Sequence, residues 1–246
     1  MTHPTASAAP APAPLAPNAV PLGATLAWLV ERAKLDDETR ALVPDALTAG
    51  AADPGPLVQA LLEADRMADA LRVVGVALPP REGVWWAWVA ARHAAEVAQT
   101  RADGPAPSAA QRSALAAAER WIAQPTDEHR RAAWDIAQVA GLDTPAGCVA
   151  AAIYFTGGSI TPPNGPFVPP PAGIHATMAS TATLLAALAT DPEHLREVAG
   201  AFAQQGVEIV RRLGGWDAAA AVARQTFDAQ AYQHAEAAKP PVLEGA

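Results

Sequence analysis

One cysteine, Cys148, occurs in 246 residues, which excludes an internal disulfide framework and any multi-cysteine zinc site. Positive charge is also scarce. Lys and Arg total 17 against 25 Asp and Glu, a net charge of −8, and the arginines alternate with acids instead of forming a block. Without a basic stripe to neutralise phosphates, nucleic acid is not an expected partner. The N-terminal stretch "MTHPTASAAPAPAPLAPNAVP" lacks a Lys/Arg segment and a continuous apolar core, so it is a poor secretory signal. The next apolar stretch, Leu26 to Val30, ends at Glu31 and Arg32, far short of a membrane span. The expectation is a chain in the bacterial cytoplasm, without a membrane partner.

Catalytic signatures are equally thin. No Gly-x-Ser-x-Gly occurs, and "TGGS" and "RLGGW" lack both the spacing and the lysine of a phosphate loop, so they read as helix ends. Cys148 sits in "AGCVAAAIYF", where a thiol behaves as a small hydrophobe. His93 and Glu96 form a single i, i+3 pair, whereas a di-metal bundle needs a second Glu-x-x-His and further carboxylates. His129 and His194 fall in first turns of capped helices, and His175 follows a proline loop it could touch. No catalytic residue, no metal ligand and no cofactor are expected.

What is present is helical periodicity. Residues 26–33 carry one apolar stripe, and Asp36 opens a short helix that Pro44 kinks or splits. "LVQALLEADRMADALRVVGVAL" reads as one run, and "PPREG" then introduces a helix to about Arg101. Ser108 and Thr126 are placed to cap the next two helices, and Thr144 precedes Pro145 at the first position of a third. "SITPPNGPFVPPPAG" contains six prolines, too many for a sheet centre, and its Ile160, Phe167 and Val168 suggest a strap across the body. Asp191 with Pro192 starts another helix, and residues 216–238 read as the last. The fold class is all-α: an irregular array of about nine or ten helices in one globular domain. That domain runs over 22–238, with a weak internal boundary at the 157–172 loop. Residues 1–21 read as a disordered Ala/Pro-rich tail and 239–246 as a short C-terminal tail.

The most unusual segment is "REGVWWAWVAARHAAE". On a wheel of about 100° per residue, Trp85, Trp86, Trp88, Val89 and Val97 span one half and alanines the other. No ordinary polar face remains, so this helix is expected to be enclosed on most sides. Arg92, His93 and Glu96 lie in the tryptophan half. In one reading they form a satisfied core network, with Arg92 and Glu96 paired one turn apart. In the other the indoles wall a partner groove or a small-molecule pocket, with the polar residues as fixings. The core network is the preferred reading. The candidate partner- or ligand-binding set is Trp85, Trp86, Trp88, Arg92, His93, Glu96 and Phe167.

Several segments together resemble a known family. They are Ala118–Trp121, Pro125–Thr126, Arg130–Ala133, Gly141–Ala146, Gly157–Ser159 and Pro162–Pro171, with the earlier Arg81–Trp86 segment. Their order, over roughly Leu78 to Leu185, is similar to an uncharacterised bacterial family often encoded near type VI secretion and effector-adaptor genes. The resemblance implies an accessory or adaptor role, with a secretion effector or adaptor as protein partner and no catalytic residues to carry over. The leading expectation is therefore a non-enzymatic cytoplasmic helical protein that binds another protein. The alternative is a small-molecule binder or enzyme using the tryptophan side with Arg92, His93 and Glu96.

Overall fold

The computed structural model describes residues 26–43, 53–101 and 106–214. The two tails, the Pro44 break and the helix expected over 216–238 lie outside the described residues. Among those described there are ten helices and no strand: α1 (Leu26–Arg32), α2 (Asp37–Ala41), α3 (Gly55–Glu63), α4 (Met67–Ala77), α5 (Pro80–Thr100), α6 (Ala109–Ala123), α7 (Asp127–Ala140), α8 (Pro145–Tyr154), α9 (Ile174–Thr190) and α10 (Leu195–Arg212). The all-α class holds, and none of these helices is long and apolar enough to cross a membrane.

Local chemistry sets the helix starts. The Ser108 hydroxyl accepts from the Gln111 N–H while the Gln111 side chain accepts from the Ser108 N–H, a reciprocal capping box. Thr126 caps α7 through the His129 N–H, and Thr144 caps α8 through that of Gly147, with Pro145 at the first position. Two boundaries differ from the sequence reading. The run from Leu57 to Leu78 is two helices, because Asp65 adopts φ 63° and the Arg66 N–H turns back to the Leu61 carbonyl. This is a Schellman-type closure, and aspartate is among the few residues that tolerate the left-handed region. Asp191 accepts from the N–H groups of Glu193 and His194, yet α10 begins only at Leu195.

Helices α5 and α9 pack along each other and form a spine between two cores. One core joins α1, α3, α4 and α10 through Leu29, Leu57, Leu61, Leu71, Val74, Val207 and Trp86. The other joins α6, α7 and α8 through Val84, Trp88, Trp121, Ala133, Val149 and Ile153. Helices on both sides of the proline-rich strap share these cores, since α9 and α10 pack on α4 and α5 and α9 also packs on α8. The strap joins α8 to α9 at one end of the bundle. At the other end, the first residues of α8, Pro145 and Ala146, stand beside Ala189 at the end of α9.

Candidate functional site

The spine position of α5 divides the tryptophan cluster. Trp86 is fully buried in the first core, and its indole N–H donates to the Phe202 carbonyl of α10 at 2.8 Å. Room for that ring depends on Gly206, where a Cβ would stand 2.2 Å from Val74 Cγ1 and 3.1 Å from Trp86 Nε1. Trp88 belongs to the second core and donates to the Leu115 carbonyl of α6 at 3.0 Å. Both indoles are bulk with a satisfied polar end, the usual condition of a buried tryptophan. Trp85, by contrast, is 39 % exposed.

Arg92, His93 and Glu96 are exposed, so α5 does have a polar face and the polar trio is no core network. The buried arc runs from Trp86 through Ala90, Ala94, Ala87 and Ala91 to Trp88, and what remains is a stripe of Trp85, Val89, Arg92, His93 and Glu96. Arg92 Nε pairs with Glu96 at 3.2 Å, as the i, i+4 spacing implies, and its guanidinium lies 4.8 Å from the centre of the Trp88 ring. His93 meets the edge of Phe202 with ring centres 6.2 Å apart. Val89, Arg92, His93, Glu96, Phe202 and Gln205 line a shallow depression of about 270 Å³. The structure thus brings Trp85, Arg92, His93 and Glu96 onto one stripe and leaves Trp86 and Trp88 beneath it.

Phe167 sits on the strap, whose anchors are on α7 and α8. Arg130, only 3 % exposed, donates from Nη1 to the Tyr154 carbonyl at 2.7 Å and from Nη2 to the Ser159 carbonyl at 3.0 Å. Its Nε donates to Asp127 at 2.8 Å, and Arg131 spans from the other Asp127 oxygen to the Thr161 carbonyl. Gly158, at φ +67°, passes so close to this guanidinium that a Cβ would lie 2.8 Å from Nη2. Burial alone would raise the Asp127 carboxyl, but the two arginines outweigh it and hold the group below its usual range. The strap also closes on itself: Ile160 N–H donates to the Val168 carbonyl, and Val168 N–H to the Ser159 hydroxyl. This clamp was absent from the sequence-derived site set. A signal for it exists, because Arg130 shares the i, i+3, i+7 stripe of Ala133 and Ala137, and a charge on an apolar stripe needs buried partners.

The remaining chemistry-bearing groups are quiet. Cys148 donates its S–H towards the Leu142 carbonyl, and burial pushes the thiol up to about 11, away from a reactive thiolate. His175 at the start of α9 is buried with no hydrogen-bond partner for Nδ1; burial, then the charge of Arg32, pulls it down to about 3. An unfolded histidine takes its proton near pH 6.5 whereas the folded one stays neutral, so this group's contribution is complete above that value and is lost as pH falls. Urea denaturation across pH 7 to 4.5 should show His175 costing about 1.4 kcal/mol per pH unit below about 6.5. His175→Leu should flatten that slope, and equal slopes in both proteins would contradict the assignment.

No curated protein and no solved structure matches the chain. Residues 57–210, from α3 to near the end of α10, match the Family of unknown function (DUF6931). The matched span contains the α5 stripe, the second core, most of the first core and the clamped strap, and on that match the chain belongs to this family.

Proposed function

We propose that this chain is a non-enzymatic, cytoplasmic helical protein that binds another protein through the solvent stripe of α5. The observation that carries the reading is Trp85, an exposed indole one turn from Val89 and in line with Arg92 and Glu96 beside a shallow depression. Tryptophan and arginine are the side chains that dominate interface hot spots, and here both stand on a rigid 21-residue helix anchored on both flanks. Protein partners suit a shallow, open depression better than a small molecule, which needs most of its surface enclosed. Narrower membership among type VI secretion accessories or effector adaptors is supported by the resemblance of the Trp-Trp, Arg-Arg-Ala-Ala and Gly-Gly-Ser segments.

A photo-crosslinking amino acid at position 85, compared with one at the exposed Val139 of α7, tests this in the native host. Position 85 should give a discrete product with a second protein, identified by mass spectrometry and at least about tenfold weaker when Arg92→Glu is added. An effector or its adaptor in that product would support the secretion role. Equal labelling at the two positions would sink the interface.

A further inference from the structure

Beyond its clamp, the strap takes its conformation from proline. Residues 166–171, Pro-Phe-Val-Pro-Pro-Pro, run without helix, strand, turn or bend. A proline ring fixes φ at about −65°, and a residue that precedes a proline is steered away from the helical region. An extended path at that φ is a polyproline II rod with three residues per turn, about 19 Å long over six residues. Turns bracket it at both ends. The Gly165 N–H donates to the Pro162 carbonyl before the rod, and the Ile174 N–H donates to the Pro171 carbonyl after it.

Exposure along the rod follows the same threefold period. Pro170 is buried, so the edge it shares with Phe167 faces the body. The other two edges, Pro166 with Pro169 and Val168 with Pro171, are exposed. Pro166 and Pro169 have the P-x-x-P spacing that places two rings on one edge. A strap that only closed the bundle would turn its apolar tip inward, yet Phe167 and Val168 both stand in solvent.

The rod is held in place before any encounter. Val168 is fastened by both backbone groups: its N–H donates to the Ser159 hydroxyl at 3.0 Å, and its carbonyl accepts from the Ile160 N–H at 2.8 Å. The Thr161 hydroxyl donates to the Pro166 carbonyl, and Ser159 and Thr161 are themselves held by Arg130 and Arg131. A rod so anchored has little freedom left to lose, which lowers the ordering cost of docking. Its chemistry also restricts the partner. Residues 156–173 carry no charge, and Pro169, Pro170 and Pro171 have no N–H to donate. Recognition therefore requires rings that pack on proline rings and donors aimed at carbonyls.

We propose that the strap is a preformed polyproline II ligand that docks, through its Pro166–Pro169 and Val168–Pro171 edges, into an aromatic-lined groove of a partner protein. Tryptophan or tyrosine side chains of that groove supply both the flat faces for the proline rings and the donors for the carbonyls. This contact goes beyond the α5 stripe and uses none of its residues.

The test places the photo-crosslinker benzoylphenylalanine at position 167 of the full chain, in cleared lysate of the native host. Illumination should give a discrete product with a second protein. Excess decaproline, a free rod of the same kind, should abolish that product, whereas a Gly-Ser peptide of equal length should not. Pro169→Ala combined with Pro171→Ala, both at exposed positions, should weaken it at least about tenfold while the circular dichroism spectrum stays that of wild type. The competition requires no proline substitution, so it decides the matter even where the double variant loosens the strap. No discrete product, a product indifferent to decaproline, one that persists in the double variant, or one formed with a second copy of this chain would each overturn the proposal. The position-85 crosslink should be indifferent to decaproline, so the two interfaces stand or fall separately.

Discussion

Arg130→Ala should lower the stability of the folded chain by about 3–5 kcal/mol, the cost of breaking a buried ion pair by removing one partner. The Tyr154 and Ser159 carbonyls lose this donor at once, and the Asp127 carboxylate loses one of its two arginines. The guanidinium also lies 5.2 Å from the centre of the Tyr154 ring, so its removal leaves a hole against that face. With whole-domain stability on the order of 5–15 kcal/mol, this is a large fraction. Arg130→Lys should recover only part of it, because an ammonium lacks the planar fork that reaches two carbonyls and a carboxylate together. Urea denaturation measures the loss. Chymotrypsin at limiting concentration adds a local readout, since Phe167 on a released strap should be cut at least about tenfold faster. A variant melting within about 1 kcal/mol of wild type with an equally resistant strap would show that the clamp is ornamental.

Trp86→Ala should cost about 3–5 kcal/mol, whereas Trp85→Ala, one residue earlier, should change stability by less than about 1 kcal/mol. Trp86 is fully enclosed between α4 and α10, and its loss leaves both a cavity and the Phe202 carbonyl without its donor. Trp85 is more than a third exposed and its removal opens no enclosed space. Parallel thermal or urea melts of the two variants decide the matter. Similar losses would mean that the outer indole is part of the core and would remove the physical basis of the α5 interface. The same contrast makes Trp85→Ala the variant for binding experiments, because a folded protein that fails to bind is informative and an unfolded one is not.

The candidate set from the sequence holds five exposed residues, Trp85, Arg92, His93, Glu96 and Phe167, and two buried ones, Trp86 and Trp88. On a wheel, α5 divides into a tryptophan half and an alanine half, a pattern that implies bulk lying inward and alanine marking close packing. Trp86, Trp88, Ala87, Ala90, Ala91 and Ala94 form one buried arc, whereas Trp85 lies outside it. Alanine and tryptophan are both apolar, and a wheel ranks them by size, not by which neighbour covers them. What separates Trp85 from Trp86 is a rotation of about 100° that carries one towards Phe202 and the other into solvent. In the same way, the Arg130–Arg131 pair was visible as a motif. Its task was hidden because its acceptors lie 24 to 30 residues further along the chain.

By itself the sequence determined the all-α class, the capped starts of α6, α7 and α8, and the inert setting of Cys148. Each of these is a local matter: a helical period, a hydroxyl three residues from the N–H it accepts, a thiol among alanines. Tertiary structure alone decided which face of α5 meets water and that Arg130 pins the strap. These outcomes depend on contacts between helices far apart in the chain, such as the 116 residues between Trp86 and the Phe202 carbonyl. Burial is a property of the neighbours that arrive, and periodicity records only that some neighbour is required.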